Sequence, residues 1–172
     1  MRGETTTGIV LATAPAGEFD TIVSLFTEAQ GKIEARATSS RKITSKLAGH
    51  LQPLHIVRIR LTHKNGFRAA DALTIRIAPK TTRALELLDF INTMAAPLSP
   101  DRKLWLAVKK ALEYPNNPAC YPLLLTALGF DMRFAECGCG SKQVKYFSRE
   151  SHGFRCARCA LGLPQKENLV EI

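Results

Sequence analysis

Four of the five cysteines fall into two close pairs, Cys137 with Cys139 and Cys156 with Cys159, in the pattern C-x-C-x16-C-x2-C. Thiolates hold zinc tetrahedrally, and two close pairs joined by a loop of this size suit a four-sulfur site. Four protein ligands leave no position open for an activated water, so the expected cofactor is one structural zinc ion. The second pair has the usual knuckle spacing. The first is one residue tighter, and Gly138 and Gly140 supply the sharp bend it needs. His152 or Glu136 is an alternative ligand if the tight pair binds through a single sulfur. The competing reading is four buried or partly oxidised thiols. A redox role for Cys156 and Cys159 lacks the βαβ context such a pair normally has. Cys120, in a helical stretch, packs as a small hydrophobe.

The second chemical signal is charge. Residues 31–80 hold eleven basic side chains against Glu34 and Asp71, an excess that equals the formal net charge of +9. The candidate phosphate contacts in that window are Lys32, Arg36, Arg41, Lys42, Lys46, Arg58, Arg60, Lys64, Arg68 and Arg76. A Lys or Arg that neutralises a phosphate releases a condensed counterion, and that release drives binding to nucleic acid. The plainer reading is a solvated basic face. Phe19, Phe26 and Phe67 are the phenylalanines of this half, so backbone contacts should outweigh base stacking and sequence specificity should be weak.

Catalytic constellations are missing. His50, His55, His63 and His152 stand in no ligand or triad motif, and there is neither a phosphate-binding loop nor a dinucleotide fingerprint. Glu18 and Asp20 are two apart beside a turn, which suits capping or surface groups. A carboxylate-metal nuclease would need further acidic residues nearby. The expectation is a protein that is not an enzyme.

The first 80 residues read as the β-structure that must carry the charge. Residues 6–13 are β-branched and apolar, and 19–27 favour extended backbone. Residues 32–38 alternate, with Ile33, Ala35 and Ala37 on one face. Residues 54–62 alternate again, Arg58 and Arg60 opposing Val57, Ile59 and Leu61. Asn65-Gly66 is a hairpin signal, and 67–77 is the return strand, with Leu73, Ile75 and Ile77 expected inward. Between the third and fourth strands lie a basic loop and a short helix expected over 45–51, closed by Pro53. Five strands with this interruption match an OB-fold barrel.

The composition changes at Pro79. Leu85, Leu87, Leu88, Ile91 and Met94 recur at helical spacing. Ser99 or Asp101 can start a second helix through Trp105 and Leu112, and a third runs from Pro118 to a Gly129 cap. The fold class is α+β, with an OB-fold nucleic-acid-binding domain at 1–79, a helical region at 80–134 and a cysteine/zinc module at 135–172 packed on the helices. No apolar run approaches the roughly 20 residues that a membrane helix needs. The short apolar stretch at 8–12 fits a first strand better than a signal peptide, so a cytoplasmic, nucleoid-associated location is expected.

Three stretches together resemble the RecO family of DNA repair and recombination mediators. One is Gly17-Glu18-Phe19-Asp20-Thr21-Ile22-Val23 followed by residues 27–33. The second is Ser40-Arg41-Lys42 with Ser45-Lys46-Leu47-Ala48-Gly49-His50-Leu51-Gln52-Pro53. The third is residues 124–130, then Cys137-Gly138-Cys139-Gly140 and residues 153–159. The resemblance implies an N-terminal OB fold, a helical middle and a zinc-binding end. It also implies binding of single- and double-stranded DNA, strand annealing, recombinase loading with a RecR-like partner, and contact with the tail of single-strand-binding protein. Arg41, Lys42 and Lys46 carry over as DNA contacts and the four cysteines as metal ligands. Where the family has two residues between its first cysteines this sequence has one, and the chain is shorter in the helical middle. An RNA-binding or ribosome-associated OB-fold and zinc-ribbon protein is the alternative.

Overall fold

A computed structural model describes residues 3–63, 65–163 and 168–172. The chain forms two compact units, Met1–Pro115 and Asn116–Ile172. In the first, β1 (Glu4–Ala16), β2 (Asp20–Thr27), β3 (Gly31–Ala37), β4 (His55–His63) and β5 (Phe67–Ile77) close a barrel in the order β1-β2-β3-β5-β4. All pairings are antiparallel except β3 with β5, the parallel seam of an OB fold. β1 serves two neighbours, pairing with β4 through its first half and with β2 from Gly8 onward. A bulge between Val10 and Ala12 bends it between those tasks, as closure of a small barrel requires. Val10, Val23, Leu25, Ile33, Ala35, Val57, Ile59 and Leu61 fill the interior, following the alternation in the sequence.

Two expectations fail in this half. Leu73, Ile75 and Ile77 point outward and are about half exposed, while Ala69 and Ala72 face the core. Register shifts opposite Arg60/Leu61 and Ile56/Val57 leave Ala70 and Ile75 unpaired, and between them the inward phase of β5 is reversed, so that Ala72 faces in and Leu73 out. Residues 38–54 form turns instead of a helix. One helical turn survives, in which the Leu47 carbonyl accepts from the His50 and Leu51 amides. Leu47 and Leu51 are drawn onto the barrel core. Between that anchor and Gly49 there is too little chain to repay helix nucleation.

α1 (Thr82–Met94) begins where Thr81 accepts the Ala84 amide, and α2 (Arg102–Glu113) where Asp101 accepts the amides of Lys103 and Leu104. α1 buries Leu87, Leu88, Phe90 and Ile91. From α2, Trp105 reaches Phe26 of β2, with ring centroids 5.9 Å apart. The link between the helices lies along the start of β3: the Leu98 amide donates to the Lys32 carbonyl at 2.9 Å.

The second unit opens with α3 (Cys120–Ala127). Gly129, at φ 94°, ends it in a Schellman turn, the Phe130 amide donating to Leu125 and the Gly129 amide to Thr126. A three-stranded sheet follows, in the order β7 (Gly153–Cys156), β6 (Val144–Ser148), β8 (Leu169–Glu171), with α4 (Ala157–Leu161) after β7. Phe147 is its buried centre, edge-on to Phe130 and Phe154. Thus α1 and α2 share a unit with the barrel, and α3 shares one with the cysteines. Among the described residues no helix is long and apolar enough to cross a membrane.

Candidate nucleic-acid interface and metal centre

The basic residues of the barrel divide by what they touch. Lys32 is spent on structure: its ammonium donates to the Asn92 carbonyl at 2.7 Å, tying β3 to α1. Arg36 donates to Asp20 at 2.7 Å, and Arg76 pairs with Glu113 of α2 at 3.2 Å. Arg41, Lys42, Lys46, Arg58, Arg60 and Arg68 are exposed and pair with no carboxylate among the described residues. Lys64, also expected as a contact, lies outside the described residues.

Asp20 organises the first group. One carboxylate oxygen accepts from Arg36 and the other from the Ser39 amide, both at 2.7 Å. These two bonds, with the positive charge of Arg68 adding to that of Arg36, hold the Asp20 carboxyl below the usual carboxylate range. The loop after β3 is thereby fixed at its second residue. Ser40 then bridges to Thr21 and to the Ala37 carbonyl, and the Arg41 amide donates to the Phe19 carbonyl. The Arg41 guanidinium donates to the Gly17 carbonyl at 3.1 Å, and the Lys42 ammonium sits 5.1 Å over the Phe19 ring. A loop that could have been mobile therefore presents Arg41 and Lys42 from a fixed base, beside Arg36 and Arg68, with Lys46 further along.

Arg58 and Arg60 form a second group. On β4 they stand opposite Thr7 and Thr5 of β1 on one side and Leu73 and Asp71 of β5 on the other. β4 borders β1 and β5, so β2 and β3 lie across the barrel from it. The expected contacts occupy two faces.

The cysteines converge. The sulfurs of Cys137, Cys139, Cys156 and Cys159 all lie within 4.8 Å of one another, and those of Cys139 and Cys156 are 3.8 Å apart. Tetrahedral zinc with bonds of about 2.3 Å separates its sulfurs by about 3.8 Å, so the cluster has the size of a four-sulfur metal site. The tight pair contributes both sulfurs. The Gly140 amide closes a turn onto the Cys137 carbonyl at 2.8 Å, and Gly140 takes φ 84° to do it. His152 stacks edge-on against Phe130 instead, and neither it nor Glu136 joins the cluster. Backbone amides of Cys139 and Cys156 aimed at the Cys137 sulfur bring that thiol down to about 6, and the Ser141 amide lowers Cys139. Hydrogen bonding to the other three sulfurs pushes Cys159 up to about 12. A bound cation would replace those shared protons.

Comparison with known proteins matches both halves. The model of the N-terminal region of recombination protein O fits residues 1–75, the barrel. The DNA repair protein RecO of Dehalococcoides mccartyi is 28% identical over 198 residues, covering 97% of this chain and 75% of the relative. RecO of a Synechococcus species is 30% identical, covering 90% of this chain and 62% of its own length, and RecO of a Thermoanaerobacter species is 25% identical over 92% and 72%. The chain is similar to proteins of the RecO family. It has an N-terminal barrel, few helices and a C-terminal cysteine cluster able to hold a metal. Sequence reasoning took Asp20 for a surface or capping group, because its partners Arg36 and Ser39 are brought to it only by pairing of β2 with β3.

Proposed function

We propose that this protein acts in DNA repair and recombination as a mediator without catalytic chemistry of its own, binding single- and double-stranded DNA through the loop that carries Arg41, Lys42 and Lys46. The observation that carries this reading is the loop itself: three exposed cations, none paired with a carboxylate among the described residues, on a segment pinned to an OB barrel through Asp20, Phe19 and Thr21. Phosphate contacts of this kind position a strand without reading its sequence. Lowering the repulsion between two strands favours pairing and needs no nucleophile, base or open metal site. Arg58 and Arg60 offer a further strand a place across the barrel, so the two strands need not share one face.

Zinc is the metal we assign to the four sulfurs, as a structural ion. The sulfur spacing and the thiolate-favouring amides support that choice over a redox pair. To this role we add recombinase loading with a RecR-like partner, contact with the tail of single-strand-binding protein, and a cytoplasmic place of work on the nucleoid, as the resemblance to RecO proteins implies. The alternative, an RNA-binding or ribosome-associated protein, separates cleanly in an annealing assay. Complementary DNA strands should pair faster with the protein than without it, and matched RNA strands should gain less, since the loop offers nothing selected for a 2′-hydroxyl. Faster pairing of RNA alone would favour the alternative. Magnesium-dependent cleavage by the pure protein would make it a nuclease.

A further inference from the structure

Between Lys42 and Lys46 the basic loop carries Ile43, whose side chain is 105% exposed. Single exposed aliphatics are common on protein surfaces and by themselves mean little. This one differs in where it stands. Its loop is fixed at one end by the Asp20–Ser39 and Phe19–Arg41 bonds, and at the other by Leu47 and Leu51 on the barrel core. The isoleucine is therefore held away from the body of the barrel. It also lines a groove of about 450 Å³, together with Thr13, Thr21, Arg41, Lys42, Leu51 and Gln52.

That lining is matched to one class of ligand. Leu51 and Ile43 give apolar contact. The one hydroxyl proton of Ser40 goes to the Ala37 carbonyl, so Thr21 donates to Ser40 and offers its own oxygen as an acceptor. Gln52 uses its amide nitrogen on the Ala48 carbonyl, leaving its oxygen as an acceptor. Arg41 and Lys42 put positive charge at the mouth. A nucleobase has an apolar face, an edge of donors and acceptors, and an attached phosphate.

We propose that this groove is a subsite for one base of a bound single strand, and that Ile43 is the wedge that unstacks it. The proposal rests on the reading of the loop as a DNA site. Apolar side chains of this size separate base steps when inserted between them, and a displaced base is then held by contacts to its edge and face. A strand bound this way is interrupted at one step, which opposes self-stacked structure and leaves neighbouring bases open to a complement.

The test uses the full chain and a single-stranded oligonucleotide carrying one 2-aminopurine, whose emission rises when it unstacks. Saturating wild-type protein should raise that emission several-fold. Ile43→Ser, which touches no part of the core, should produce no rise even at protein concentrations at which the anisotropy of the same oligonucleotide shows it to be saturated. Ile43→Leu should restore it. An equal rise with Ile43→Ser, or none with wild type, overturns the wedge. The triple variant R41A/K42A/K46A separates the two claims. If it binds as wild type does, the loop is not the DNA site and both readings fall. If it loses binding while Ile43→Ser keeps the full rise, the wedge alone falls.

Discussion

Asp20 is the residue on which the basic loop depends, and its charge is what makes it useful. It accepts from Arg36 and from the Ser39 amide, so its folded pKa lies below the unfolded value of 3.8. A depressed carboxylate stabilises the folded state fully above the unfolded pKa, and that contribution is lost as pH falls through the folded value. Asp20→Asn should therefore melt at a lower temperature than wild type near neutral pH, and the gap should close as pH falls below 3.8. Melting temperatures at several pH values check this; a gap that persists in acid would mean the carboxylate acts by shape rather than charge. Cys156 is the corresponding residue of the second unit, buried at the end of β7. Cys156→Ser should reduce bound zinc from about one ion per chain to little or none, since three sulfurs are a poor substitute for four. The same change should expose the amides of β6 and β7 to hydrogen exchange. Full zinc content in this variant, measured by elemental analysis, would remove Cys156 from the ligand set.

At the scale of elements, the barrel and the link between its helices approach closely at Gly31. This residue starts β3 at φ 70°, and an added Cβ would run into the Ser99 carbonyl of the link between α1 and α2. Gly31→Ala combines a left-handed backbone with that clash, and should destabilise the first unit by at least about 2 kcal/mol in urea unfolding. A change of a few tenths would mean that the link yields freely. Gly31 stood in the sequence as a hairpin glycine; the close approach of a segment some 70 residues away was invisible there. Elements whose signals are local were legible in advance. Asp101 and Gly129 mark helix ends by bonds to residues within five positions, and the structure uses both. β5 was misread because its apolar alternation at 73, 75 and 77 is regular, while the bulges at Ala70 and Ile75, which reverse the phase between them, come from closing the barrel. The leucines of 47–51 looked like a helix face, but the barrel claims them.

Across the whole molecule, the charge excess of residues 31–80 was plain in the sequence, but its partition was not. Lys32, Arg36 and Arg76 find their partners 60, 16 and 37 residues away, so no local pattern separates them from the exposed cations. The four-cysteine cluster, by contrast, was readable from spacing, because two short pairs can close on one point with only a tight turn in each. What the fold adds is placement. One set of cations surrounds Asp20 and the loop after β3, and the other lies on β4 across the barrel. Counterion release sets the salt dependence expected of the first set. The measurement is fluorescence anisotropy of a labelled single strand over a series of salt concentrations, with wild type and with Arg41, Lys42 and Lys46 together replaced by Ala. Wild type should bind with a steep negative slope of log K against log salt. The triple variant should bind more weakly across sequences, with a slope shallower by about 2, the value for three phosphate contacts on a single strand. Equal slopes would show that these three cations do not touch the DNA and that the loop is not its binding site.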